Sequence, residues 1–318
     1  METPVGDHPD PGPGMPPVPG GTTFLGRHGV SPVTFGYLCV VFFFVVYQVL
    51  GSAFSVLIFG LSPDLTEPGG FRVFTGIAQM AFLLVPALLV ARLASADILY
   101  YMRLRRPSLP SLLVPMVGVF SLQQMLQVYM VFQGKIPLPP EVEGLVNEMK
   151  EAIDRTLVSL LSSHSFPEFL GVVLVIAVIP AVAEEFAFRG LIQRSFEKGI
   201  GAVRGIMTSG IIFGAFHLNP FSIVPLMALG VYLGFLAYRA NSVWVSAAAH
   251  FFNNLIPVAA LYFGIADEKV ITGDLGDMSF GTLMAVFWFS GVIFLLSTYY
   301  FLHLTRKPAG DGRGAESS

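Results

Sequence analysis

The chain has 318 residues, of which 54% are hydrophobic and only 12% charged, with a mean hydropathy of +0.70. That balance excludes an ordinary soluble globular protein and points to a polytopic membrane protein. The net charge of −3 does not suit a nucleic-acid partner, and a single cysteine, Cys39, excludes both an intrachain disulfide framework and a cysteine-ligated metal site.

Residues 1–32 open with a proline- and glycine-rich stretch, lack the basic and apolar pattern of a signal peptide, and read as a disordered cytoplasmic tail. Apolar runs of about 17 to 25 residues cross a hydrocarbon core, and the first three fall at 35–59, 73–94 and 111–132. Over 140–163 the pattern changes: Val142, Leu145, Val146, Met149, Ile153 and Leu157 share one helical face while Glu148, Lys150, Glu151, Asp154 and Arg155 occupy the others. This segment reads as an amphipathic helix lying at the outer interface. Further apolar runs follow at 169–190, 206–218, 223–240, 243–263 and 280–302, and residues 303–318 form a second cytoplasmic tail. The expected fold is all-α, a bundle of about eight transmembrane helices within 33–302.

Loop charges give the orientation, because Lys and Arg favour the cytoplasmic side of short loops. Asp64 and Glu67, then Glu141 to Asp154, then Asp267, Glu268, Asp274 and Asp277 make alternate connections acidic. The other set is basic: Arg103, Arg105 and Arg106, then Arg194, Lys198 and Arg204, then Arg239, then Arg306 and Lys307. Eight spans with both termini in the cytoplasm satisfy every loop.

Ionisable groups inside such spans are costly and mark function by default. Glu184, Glu185 and Arg189 lie in IPAVAEEFAFRGLIQ, His217 ends IIFGAFHL one turn after Phe213, and His250 and Asn254 lie four apart in AAAHFFNN. Helical spacing lets Glu185 pair with Arg189, whereas Glu184 points about 100° away and is left free to act as a base. A carboxylate, a histidine and a His/Asn pair from three helices supply a base, a partner for water and donors for an oxyanion, the parts needed for amide hydrolysis. A structural ion cluster is the bland alternative for the charged trio, as is an interhelical hydrogen bond for each histidine. Trp244 reads as an interfacial anchor.

The three blocks AEEFAFRGLIQ, FGAFH and HFFNN resemble the EExxxR, FxxxH and HxxxN motifs of the CPBP (CaaX protease and bacteriocin-processing, or Abi) family of intramembrane proteases, related to the eukaryotic CaaX-processing endoprotease. The resemblance covers residues 180–254, within a family core near 166–263. It implies that Glu184 and His217 activate water, that His250 and Asn254 stabilise the oxyanion, and that Glu185, Arg189 and Phe213 support the site. Members have been described as glutamate-type and as metallo-type proteases. Metal-free chemistry is favoured here because Asn254 is a poor zinc ligand and a good amide donor; if zinc binds, Glu184, His217 and His250 are its ligands. The implied partners are the membrane and a membrane-associated or lipidated protein or peptide: a prenylated CaaX protein, a bacteriocin precursor or a sorting segment. Short basic loops and the proline/glycine tail suggest a prokaryotic cell membrane. A non-catalytic scaffold or immunity factor, or a transporter using the buried charges, are the alternatives. From the seventh span, His250 comes out about 10 Å deep from the cytoplasmic side, so the cavity is expected to open there, with His217 deeper unless the fifth helix is tilted or starts late.

Overall fold

The computed structural model describes residues 23–61, 66–273, 275 and 278–306. The expected tails at 1–22 and 307–318, and with them Asp64, Asp274, Asp277 and Lys307, lie outside the described residues. The described residues begin at Thr23. Thr23 caps α1 (Phe24–Arg27), and Ser31 caps α2 (Pro32–Phe59), where Pro32 at the first helical position has no N–H to leave unsatisfied.

The helices then follow in order: α3 (Gly69–Ala94), α4 (Ile98–Tyr101), α5 (Leu109–Gln133), α6 (Pro140–Leu161), α7 (Phe166–Ile200), α8 (Ala202–Phe216), α9 (Ile223–Ala240), α10 (Val243–Tyr262), α11 (Glu268–Thr272) and α12 (Phe280–Leu304). The described residues contain no strand. Seven helices, α2, α3, α5, α7, α9, α10 and α12, are long and apolar enough to cross a membrane. The fifth expected span is α8, which at 15 residues is shorter than these.

Helix α7 is the main departure from the expected boundaries. Ser165 caps its start, accepting from the Glu168 amide at 3.3 Å, and it runs 35 residues, past 190, until Gly201 turns the chain at φ 85°. Hydropathy falls at Arg194 and Lys198, but nothing there breaks a helix, so those residues lie on α7 and Arg204 on α8 rather than in a loop. His303 likewise belongs to the last turn of α12.

Apolar surface gives helices little reason to associate in lipid, so close backbone packing carries more weight. On α8 and α9 this is done by glycine. A Cβ on Gly210 would lie 2.6 Å from the Val231 nitrogen, and one on Gly230 would lie 2.7 Å from the Gly210 carbonyl oxygen. One buried apolar cluster joins α2, α3, α7 and α8 through Phe43, Leu83, Ala187 and Phe213; another joins α5, α9, α10 and α12 through Val119, Leu233, Ala249 and Phe301.

Arginines lock both ends. Arg103, held in the α4–α5 connection, makes a two-pronged pair with Glu197 of α7 at 3.0 and 2.5 Å and donates to Asn241 at 3.2 Å. At the other end, buried Arg72 of α3 donates to the carbonyls of Ser159, Leu160 and Ser162, which close α6, and pairs with Glu168 of α7 at 2.8 Å.

Candidate active site

Glu184 and Glu185 end an α-helical stretch, Ile179–Glu185, that lies between two π-helical stretches of α7, Val173–Val178 and Phe186–Ile192. Such wide turns recur at functional sites because they re-aim side chains and loosen the backbone ladder. Glu185 is fully buried and its Oε1 lies 2.9 Å from Arg189 Nη1 and 3.0 Å from His250 Nδ1. The Arg189 contact is a close ion pair with its N–H off line, since that nitrogen makes no directed hydrogen bond. Arg189 Nη2 donates to the Gly230 carbonyl at 3.0 Å, and its guanidinium sits 4.3 Å over the Phe213 ring.

Glu184 differs from its neighbour. Its side chain keeps 14% exposure, and its Oε2 has no hydrogen-bond partner and lies 3.9 Å from His250 Nε2. His250 therefore bridges the two carboxylates. A carboxylate only accepts, so the Nδ1 contact with Glu185 puts a proton on Nδ1 and turns Nε2 towards Glu184.

Asn254 approaches the same helix. Pro180 has no N–H to return to the Ile176 carbonyl four residues back, and Asn254 Nδ2 donates to that carbonyl at 3.3 Å. Its Oδ1 accepts from Asn253 Nδ2 at 3.1 Å, which orients the amide and leaves a second N–H for use.

His217 stands apart. It caps α8, half outside the bundle, with Nδ1 at 2.9 Å from the Phe213 carbonyl, which leaves Nε2 as the free nitrogen. No hydrogen bond or ion pair joins it to Glu184 among the described residues; the Phe213 ring contacts both histidines, its centroid 4.9 Å from that of His217 and 5.8 Å from that of His250. The late start of the fifth helix that would have made His217 shallower is not found, yet His217 is level with Glu184 along the two helices. Helix α8 starts earlier than 206, and Glu184 precedes Gly201 by seventeen residues while His217 follows it by sixteen. At 1.5 Å per residue both lie about 25 Å from that turn. Among the described residues no three His, Cys, Asp or Glu side chains gather closely enough to hold a metal ion. Glu184, His217 and His250, the residues a zinc ion would need, form no such group.

Sequence reasoning missed the residues that key α7 onto α9. Gln193 Nε2 donates to the Gly234 carbonyl at 3.0 Å and to Glu197 Oε1 at 2.8 Å, repeating one turn on what Arg189 does at Gly230. The signal was available: Glu185, Arg189, Gln193 and Glu197 recur every four residues, opposite Gly230 and Gly234. A cavity of about 410 Å³ lies between α7 and α10, lined by Val178, Ala181 and Val182 of α7 and by Trp244, Ala247 and Phe251 of α10. Trp244 thus lines a cavity, packed edge-on against Phe186. Neither that cavity nor the other, about 670 Å³ against Met207, Met227 and Phe235, is lined by any of the site residues.

No curated protein and no solved structure matches the chain. Residues 166–256, which enclose Glu184, Glu185, Arg189, His217, His250 and Asn254, match the family model described as type II CAAX prenyl endopeptidase Rce1-like.

Proposed function

We propose that the protein is an intramembrane endopeptidase that hydrolyses a peptide bond of a prenylated or otherwise lipidated protein. The observation that carries this reading is the unequal pair of carboxylates: Glu185 is buried and doubly held, while Glu184 presents a partnerless oxygen to His250. Glu184 takes a proton from water as the oxygen attacks the scissile carbonyl carbon, and the carbonyl electron pair moves onto its oxygen. The second N–H of Asn254 is a donor for that oxyanion, and His250 Nε2 is placed to exchange a proton with Glu184. The C–N bond then breaks as Glu184 passes the proton it took from water to the departing nitrogen; His217, with its Nδ1–H spent on the Phe213 carbonyl, keeps Nε2 as an acceptor. The apolar cavity beside Trp244 suits a hydrophobic side chain or lipid chain of such a substrate. Arg103, Arg194, Lys198, Arg239 and Arg306 collect at one end of the bundle, which we place in the cytoplasm together with both termini and the mouth of the site.

The test compares protein termini in membranes and medium of cells carrying the wild type or Glu184→Gln at matched expression. Termini that appear only with the wild type support the reading and name the substrate. Identical termini with the biological phenotype retained by the mutant would overturn it in favour of a scaffold.

A further inference from the structure

Helices α2 and α3 precede the Rce1-like segment, yet both reach the level of Glu184. Gly76 of α3 rests on α7 so closely that a Cβ there would come within 3.3 Å of Ile179 and 3.4 Å of Val175. Further along both helices, Leu83 and Ala87 share a buried cluster with Ala183 and Ala187. Numbering rises together along the two helices, so they run parallel, and between these contacts, about one turn before the level of Glu184, α3 turns a polar residue to α7. That residue is Gln79. It is 6% exposed, and its Oε1 has no hydrogen-bond partner.

Two buried acceptors, Gln79 Oε1 and Glu184 Oε2, are thus left without donors on facing helices, which native interiors rarely tolerate outside functional sites. Tyr47 of α2 is hydrogen-bonded to Gln79 and lies within reach of the charge of Glu184. Its neighbour Gln48 donates to the Phe216 carbonyl, next to His217, so α2 is tied to the end of α8 at this level. Helix α2 is π-helical over Phe44–Leu50 and α3 over Met80–Leu84, the stretches that carry or adjoin these residues. The wide turns of α7 therefore have counterparts on the two helices that face Glu184.

We propose that Gln79 is a further catalytic residue, holding the attacking water together with Glu184. The carboxylate accepts one hydrogen of the water and the Gln79 side-chain carbonyl accepts the other, which turns an oxygen lone pair towards the substrate. As the O–C bond forms, the O–H bond to Glu184 breaks and its proton passes to that carboxylate; the hydrogen on Gln79 stays on oxygen. An amide suits this position because it accepts without taking the proton, so the base is defined, and it adds no second negative charge beside Glu184. Tyr47 is a positioning residue that acts through these two side chains. This inference rests on the endopeptidase reading above.

The experiment uses the full chain in liposomes with an internally quenched farnesylated CAAX peptide. Gln79→Met keeps the shape and removes the acceptor. It is expected to lower kcat on the order of 100-fold, the scale of a misplaced reactant, with KM and the thermal midpoint held and Tyr47→Phe intermediate. Unchanged kcat, or a loss that tracks a fall in midpoint, overturns the inference while leaving the endopeptidase reading in place. A high-resolution structure supplies a readout that needs no substrate: water bound between Gln79 and Glu184 in the wild type and lost in Gln79→Met supports it, and no water there overturns it. If the wild type cleaves nothing that Glu184→Gln spares, the endopeptidase reading itself falls, whatever the water shows.

Discussion

The carbonyl of Gly230 accepts from Arg189 Nη2 at 3.0 Å, so a guanidinium on α7 reaches past its own ion pair to the backbone of α9. The same guanidinium serves Glu185, Phe213 and Gly230, and its charge is wholly buried. Structure and chemistry are therefore divided between adjacent residues: Glu185 belongs to the lock, Glu184 to the reaction.

That division predicts opposite mutant profiles. Glu185→Gln leaves Arg189 as an uncompensated buried charge and is expected to cost about 3–5 kcal/mol. Glu184→Gln is expected to stay within about 1 kcal/mol of the wild type while losing cleavage. Unfolding in detergent followed beside peptide cleavage checks both; equal destabilisation by the two would refute the division.

Close packing of α8 on α9 leaves no room for a methyl. Gly210→Ala is expected to cost about 1–3 kcal/mol, because the Val231 backbone at 2.6 Å cannot move aside as a side chain does. Gly171→Ala, in α7 with nothing within 4 Å, is the control and is expected to stabilise by about 0.5–1 kcal/mol. Thermal midpoints that shift alike for both variants would contradict the account.

Arg103 and Glu197 form a buried pair between the α4–α5 connection and the end of α7. Arg103→Met alone is expected to cost about 3–5 kcal/mol and the double variant Arg103→Met/Glu197→Met markedly less, since the double leaves no carboxylate stranded. A double-mutant cycle on unfolding reads the coupling, and additive losses would show that the pair contributes nothing as a pair.

The proposed orientation is open to thiol labelling, because Cys39 is buried and silent. Glu148→Cys on α6 should react with an impermeant reagent on intact cells. Arg306→Cys should react only after permeabilisation. The reverse pattern would invert the topology and move the site to the other face.

Much of this architecture was legible. Polar residues in AEEFAFRGLIQ, FGAFH and HFFNN stand out against apolar surroundings, and a period of four separates Glu185 and Arg189 from Glu184. What hydropathy hid was helix continuity: α7 carries Arg194, Glu197 and Lys198 to Gly201, and that His217 is level with Glu184 shows only when both are counted from there. Gln79, Gln193 and Arg72 were invisible for another reason. Gln193 and Arg72 bond to backbone carbonyls of distant segments, which any residue type presents, and Gln79 depends on which helix lies opposite.

The four-residue recurrence of Glu185, Arg189, Gln193 and Glu197 has an evolutionary corollary. A change at any one of them strands the polar groups of its neighbours inside the bundle, so descendants of this chain should vary there only in concert. Glu184, one step round the helix, bears no such obligation. This fold is easier to silence than to dismantle, and lineages that have lost the reaction but kept the bundle should show the loss first at that single position.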